Sequence, residues 1–207
     1  MRPSPQSASN LPPGPPDEEL VRRVVDASDG EAFELLMSRY QARIYSVIMR
    51  LVRDQERARD LTQETFMKAW RGLAGFEGGA GFYTWLYRIS RNLVTSDWRR
   101  EKSRPRFTHS VDEAPTEGRA TGAAVVPIDR RSDPGDRARA RERQRLLLDA
   151  IDELVPDFKE ILVLRDLEGL AYEEIADMLD LPVGTVRSRL HRARLELKAK
   201  IERFWDE

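Results

Sequence analysis

Two stretches of this sequence combine the residue types that bind nucleic acid. The first is Phe82-Tyr-Thr-Trp-Leu-Tyr-Arg-Ile-Ser-Arg-Asn-Leu-Val-Thr-Ser-Asp-Trp-Arg-Arg, in which aromatic rings alternate with arginines. Aromatic faces accept unstacked bases while Arg and Lys hold phosphates, which is how single strands are bound. Phe82, Tyr83, Tyr87, Arg88, Arg91, Asn92, Trp98 and Arg99 are its surface candidates, and Trp85, Ile89 and Leu93 read as core. The second stretch is Val183 to Lys200, where six basic residues face Glu196 alone. On a helix of 3.6 residues per turn, Val186, Leu190, Ala193 and Leu197 share one face, and Arg187, Ser188, His191 and Arg192 fall on another. An exposed Arg, Ser, His, Arg set suits the major groove: Arg is bidentate to guanine, and Ser and His adapt to base or phosphate.

The elements that position these residues are helices. Ile175, Ala176 and Leu179 form a short amphipathic helix, Asp180 to Pro182 a turn, and Pro182 suits the first position of the helix that follows. Short helix, turn and two-faced basic helix make a helix-turn-helix, with acidic Glu173, Glu174 and Asp177 expected to point away from DNA. Upstream, Phe33, Leu36, Met37, Tyr40, Ile44, Ile48 and Leu51 recur at three- and four-residue steps from Glu31 to Arg53. A further helix over about Gln55 to Leu73 turns Leu61, Phe66, Ala69, Trp70 and Leu73 inward. Glycines between Gly72 and Gly81 interrupt the chain before the aromatic helix, which runs to about Arg100. Asp17 is a plausible cap for the first helix.

The fold class is therefore all-α: two small helical domains joined by a flexible linker, the second a helix-turn-helix domain. Met1 to Pro16 holds six of the twelve prolines and reads as a disordered tail (1–16). The first domain spans 17–101, an aperiodic, proline-broken linker 102–136, and the second domain 137–207. The formal net charge of −1 hides two basic stripes, each of net +5, from Phe82 to Arg106 and from Val183 to Lys200.

Several function classes are excluded. The chain has no cysteine and only two histidines, so thiolate chemistry and a His-built metal site are out. No phosphate-binding Gly-Lys-Ser/Thr loop is present, and no cofactor is implied. With no apolar run of about 20 residues and no signal-peptide pattern, a soluble cytoplasmic protein without membrane insertion is expected.

Taken together these segments resemble the extracytoplasmic-function sigma factors, above all the envelope-stress subgroup, from about Asp17 to Lys200 apart from the linker. Asp60-Leu-Thr-Gln-Glu-Thr-Phe-Met-Lys-Ala-Trp looks like the family's polymerase-docking helix, the Phe82 helix like its promoter-melting helix, and Tyr172-Glu-Glu-Ile-Ala with Pro182 to Arg194 like its upstream-element reader. The resemblance implies that Asp60, Gln63, Glu64 and Phe66 face the clamp of core RNA polymerase. It implies that the first domain captures the non-template strand of the minus-ten element, with Asn92 near a flipped-base pocket. Arg187, Ser188, His191 and Arg192 would read the minus-thirty-five duplex, and an anti-sigma factor is an expected partner. One departure stands out: Phe76-Glu-Gly-Gly-Ala-Gly carries Glu77 where the family often has a base. Two rivals are a helix-turn-helix regulator acting without polymerase and an all-helical enzyme. The first would bind duplex operator alone, as a dimer on two half-sites. For the second, no metal-type motif or apolar-pocket acid pair can be picked out.

Overall fold

The computed structural model describes residues 14–103 and 134–206. Among these every regular element is helical, and the chain divides into two compact units with the division at Ala114/Pro115. The tail's residues 1–13 and the linker's residues 104–133 lie outside the described residues.

The first unit holds α1 (Asp17–Ala27), α2 (Gly30–Val52), α3 (Gln55–Gly72), a short 3-10 turn (Leu73–Gly75) and α4 (Phe82–Ser103). Two aspartates start the two central helices. Asp29 accepts the Ala32 amide at 3.0 Å and Asp54 accepts the Arg57 amide at 2.9 Å, each satisfying an amide left open by the first turn. The Ala32 amide, with Arg23 beside it, holds the Asp29 carboxyl below the usual value. Its cap is therefore complete at neutral pH and is lost only as pH falls through that lowered value. Asp17 does not cap α1. Pro16 occupies that position without a side-chain bond, and the Asp17 carboxylate turns back onto α2.

The core of this unit is Leu20, Leu36, Ile44, Val47, Ile48, Ala58, Ala69, Leu73, Leu86 and Val94, of which Leu36, Ile44, Ile48, Ala69 and Leu73 belong to the periodic set. On α2 and α3, two residues expected inside are not. Trp70 is 41% exposed, and Met37 is only half-buried. Both line an open groove of about 920 Å³ between α2 and α3. Buried Thr62 and Thr65 donate to the Ala58 and Leu61 carbonyls one turn back, so their hydroxyls carry no desolvation penalty.

The second unit holds α5 (Pro134–Asp152), α6 (Pro156–Leu162), α7 (Tyr172–Leu179) and α8 (Val183–Asp206). Helix α5 starts three residues earlier, and α4 ends two later, than the linker boundaries expected from the sequence. A single π-helical turn over Val163–Leu167 continues α6 and ends at Gly169, whose φ of +71° only glycine adopts without strain. The core is Ile151, Ile161, Leu164, Ile175, Met178, Val186, Leu190 and Ala193.

Candidate nucleic-acid interface

Helix α8 packs against α7, and Ala176 and Val186 are both buried. Asp180 takes a left-handed conformation at the end of α7, and the Leu181 amide donates back to the Ala176 carbonyl, which closes the turn. Pro182 stands one residue outside the position expected for it. Its carbonyl accepts the Val186 amide at 3.1 Å, so it caps α8 rather than opening it. Arg187, Ser188, His191 and Arg192 are all exposed on the face opposite Val186, Leu190 and Ala193. Leu197, expected with that buried face, is half-buried.

The acids of α7 divide otherwise than the sequence suggested. Glu174 Oε2 accepts the Ala171 amide at 2.7 Å, so this carboxylate closes its own helix start. Glu173 lies 4.0 Å from the Arg187 guanidinium, on the same side as the reading face rather than away from it. Tyr172 lies beneath two cations, Arg165 at 4.7 Å and Arg187 at 5.7 Å from the ring centre. Three further bases of α8 are tied to other segments of the unit. Arg194 makes two bonds to Asp166, at 3.1 and 2.5 Å, Arg189 reaches Asp157 at 3.0 Å and Lys200 reaches Glu153 at 3.0 Å. The Asp166 hydrogen bonds hold the Arg194 pKa above its usual value.

Helix α4 is rotated relative to the expectation from its aromatics. Phe82 and Tyr87, placed on the surface by composition, are 3% and 0% exposed. Tyr83 is half-buried: its ring stacks on Tyr40 at 5.6 Å, with the Arg43 guanidinium 4.0 Å from its centre. Trp85 and Ile89, read as core, are half-exposed instead, while Leu93 is buried as expected. A long apolar helix has a buried arc wider than one four-residue row. Here that arc is centred on Leu86, Ser90 and Val94, which pulls Phe82 and Tyr87 inside with it. The outward arc carries Trp85, Arg88, Asn92 and Arg99, with Arg91 half-buried at its edge. Trp85 is the one functional candidate that its four-residue spacing with Ile89 and Leu93 concealed. It rests on Phe76 at 5.3 Å and Phe82 at 5.8 Å, beside the glycine-rich loop of residues 76–81.

On α3, Asp60, Gln63 and Glu64 are exposed, and Gln63 borders the α2–α3 groove. Phe66 is 5% exposed, so it forms the floor of that groove with Phe33 rather than an outward face. Met67 and Trp70 stand out from the wall above it, both more than 40% exposed. The trough is open and largely apolar, with Glu34, Arg59 and Arg71 as its charged lining residues. Among the described residues no group of three potential metal ligands comes together, and no helix is long and apolar enough to cross a membrane.

The family model described as Sigma-70 region 2 matches residues 36–104, and that described as Sigma-70, region 4 matches residues 144–197. The chain is 39% identical to the ECF RNA polymerase sigma-E factor of Haemophilus influenzae over 186 residues, 90% of this chain and 95% of that protein. It is likewise 39% identical to the protein of that name from Escherichia coli K12, covering 94% of it. Among solved structures, the sigma factor RpoE of Bartonella quintana, in complex with the anti-sigma factor NepR, aligns with a TM-score of 0.59 at 25% identity. It covers 83% of this chain and 98% of that one. CnrH, solved with the cytosolic domain of CnrY, shares the fold at a TM-score of 0.63 and 22% identity, covering 90% of this chain and 97% of that one.

Proposed function

The chain belongs to the extracytoplasmic-function RNA polymerase sigma factors, and from that premise we propose that its two units divide promoter recognition between single-stranded and duplex DNA. It binds core RNA polymerase, directs it to specific promoters and promotes melting at initiation. The observation that carries this reading is the pairing, in one chain and in order, of a region-2 unit with a region-4 unit. A regulator acting without polymerase would need the second unit alone.

In the first unit, spanning residues 17–101, the outward arc of α4 captures the non-template strand. Trp85 offers a face for an unstacked base, Asn92 a hydrogen-bonding amide, and Arg88, Arg91 and Arg99 the phosphate contacts. Phe82, Tyr83 and Tyr87 serve from inside, as support for that arc. The α2–α3 groove, with Asp60, Gln63 and Glu64 beside it and Phe66 in its floor, receives the polymerase clamp. In the second unit, residues 137–207, Arg187, Ser188, His191 and Arg192 read the minus-thirty-five duplex in the major groove. Each site is weak alone. Held on one polymerase, the second contact becomes nearly intramolecular, and trapped bases at about 1–3 kcal/mol per stack drive melting without nucleotide hydrolysis.

The protein thus works by binding, without catalytic chemistry of its own, and in the compartment of the polymerase, the cytoplasm. An anti-sigma factor that covers the groove is the expected regulator, as a relative was solved with such a partner. The test is reconstitution: core polymerase with and without the chain, on duplex and on pre-melted cognate promoter. Specific transcription should require the chain. A protein that binds promoter duplex equally well alone, and does not comigrate with core, would sink the reading.

A further inference from the structure

The strongest unexplained cluster of polar side chains lies beneath the first unit's strand-binding arc. At the start of α1 the Asp17 carboxylate accepts from Arg39 Nη1 at 2.7 Å and from the Tyr40 hydroxyl. Arg39 also donates to the Pro15 carbonyl at 2.6 Å, so one guanidinium fixes both the carboxylate and the backbone that enters α1. The pair is enclosed: the Arg39 and Asp17 side chains are 6% and 12% exposed. A buried ion pair is poor evidence for stability, since desolvation offsets its attraction, and its retention calls for another reason.

That reason follows from what Tyr40 touches. Its ring lies 5.6 Å from Phe82 and 5.6 Å from Tyr83, the first two residues of α4. Phe82 in turn meets Phe76 at 6.2 Å and Trp85 at 5.8 Å. Phe76 and Phe82 bracket a loop in which Gly78, Gly79 and Gly81 supply little conformational restraint of their own. The loop and Trp85 rest on the aromatic layer below them, and Tyr40, a buried ring of that layer, is tied by its hydroxyl to Asp17. Burial pushes the Tyr40 phenol above its ordinary value and Asp17 adds to this, so the hydroxyl remains a donor.

We propose that Asp17 and Tyr40 are positioning residues for strand capture: Asp17, held by Arg39, anchors the Tyr40 hydroxyl, and Tyr40 through Phe82 sets Trp85 and the loop 76–81 against the unstacked bases. The inference rests on the function assigned to the α4 arc above. It adds the start of α1 to the promoter-melting machinery, at a distance from any base.

The experiment uses the full chain bound to core polymerase. Affinity for a single-stranded minus-ten oligonucleotide and the rate of opening of duplex promoter are measured for Tyr40→Phe, Asp17→Asn and Trp85→Ala, and for each of the first two combined with Trp85→Ala. Tyr40→Phe and Asp17→Asn should each weaken strand capture about two- to tenfold, the equivalent of one hydrogen bond. Binding to core and to the minus-thirty-five duplex should not change. In the Trp85→Ala background neither should lower strand affinity further, because they act through that ring. A purely structural role would give additive losses in the combined variants, or a fall in core binding alongside, and either result overturns the proposal. Full strand affinity in Tyr40→Phe, which removes one oxygen and keeps the packing, overturns it too, even where Asp17→Asn fails to fold. Normal capture by Trp85→Ala would instead remove the strand site itself from this arc.

Discussion

The basic stretches that begin in α4 and α8, residues 82–106 and 183–200, carry the same net charge by sequence, and the two helices reach a basic surface by opposite routes. In α8 the helix's own bases are partly consumed: Arg189, Arg194 and Lys200 pair with Asp157, Asp166 and Glu153 of neighbouring segments. What remains exposed toward a ligand is a small set of defined side chains, Arg187, Ser188, His191 and Arg192. In α4 it is the acids that are consumed. Arg57 of α3 bonds Asp97 and Glu101 together, reaching Glu101 at 2.8 and 3.1 Å. Burial alone would lower the Arg57 pKa, but Glu101 and Asp97 together raise it above its usual value. Arg88, Arg99, Arg100 and Lys102 of α4 are exposed. The first arrangement suits reading of base edges by a few fixed donors. The second suits tracking of a flexible, charged strand.

If that division holds, the largest single-residue effect belongs to α8. Arg187→Ala and Arg192→Ala should each weaken binding to the minus-thirty-five duplex by roughly 1–3 kcal/mol if the contact is bidentate to guanine, and relax the base preference at one position. Opening of a template already melted around the minus-ten element should be nearly unaffected. Equal losses on melted and duplex templates would erase the distinction between the two helices.

The next effect tests α4 from behind. Arg57→Ala should cost the first unit roughly 1–2 kcal/mol, because a charged hydrogen-bonding group 30% exposed is lost from between two carboxylates. It should also weaken strand binding, and more so at low salt, since Asp97 and Glu101 are released onto the strand-facing helix. Adding Asp97→Asn and Glu101→Gln to Arg57→Ala should restore strand affinity while leaving the thermal midpoint low. If affinity and midpoint move together through that series, Arg57 is only a structural tie.

Most of the fold could be read from spacing, because each helix repeats its apolar positions against a single partner layer. Ile44, Ile48, Ile175, Val186 and Leu190 lie where their period puts them. The reading of α4 failed for a physical reason. Its aromatic residues occupy nearly every direction around the helix, so residue type could not tell which rings pack and which face outward. Phe82 and Tyr87 went inside because α2 and α3 together cover a wide arc, and that is a property of three helices rather than one. Phe66, turned inward by its period and toward the clamp by the resemblance, is buried in the groove floor: a motif says which segment docks, whereas burial decides which side chains form its floor. The pairing of bases in α8 with Asp157, Asp166 and Glu153 spans 28 to 47 residues of sequence, beyond any local pattern. The α8 reading set was legible because four exposed residues alternate with a plain aliphatic row, so that polarity alone separates the faces.

The smallest effect should come from a base of α8 that the comparison assigns to the scaffold. Arg194 looks, by composition, as good a phosphate ligand as Arg192, two residues away. Its guanidinium is already engaged by both Asp166 oxygens, and Asp166 sits on the π-helical turn that leads to Gly169. To contact DNA, Arg194 would have to give up those bonds, and the exposed carboxylate left behind would repel the phosphates it approached. Half-exposed ion pairs contribute at most about 1 kcal/mol, so Arg194→Gln should lower the stability of the second unit by no more than that. Base preference on the minus-thirty-five duplex should stay as in the parent protein, and so should the slope of log affinity against log salt. Loss of one phosphate contact would instead make that slope shallower by about one unit. A slope change of that size on Arg194→Gln, matched by none on Arg192→Ala, would exchange the roles of the two arginines. It would also mean that α8, like α4, works by charge density rather than by a selected few donors.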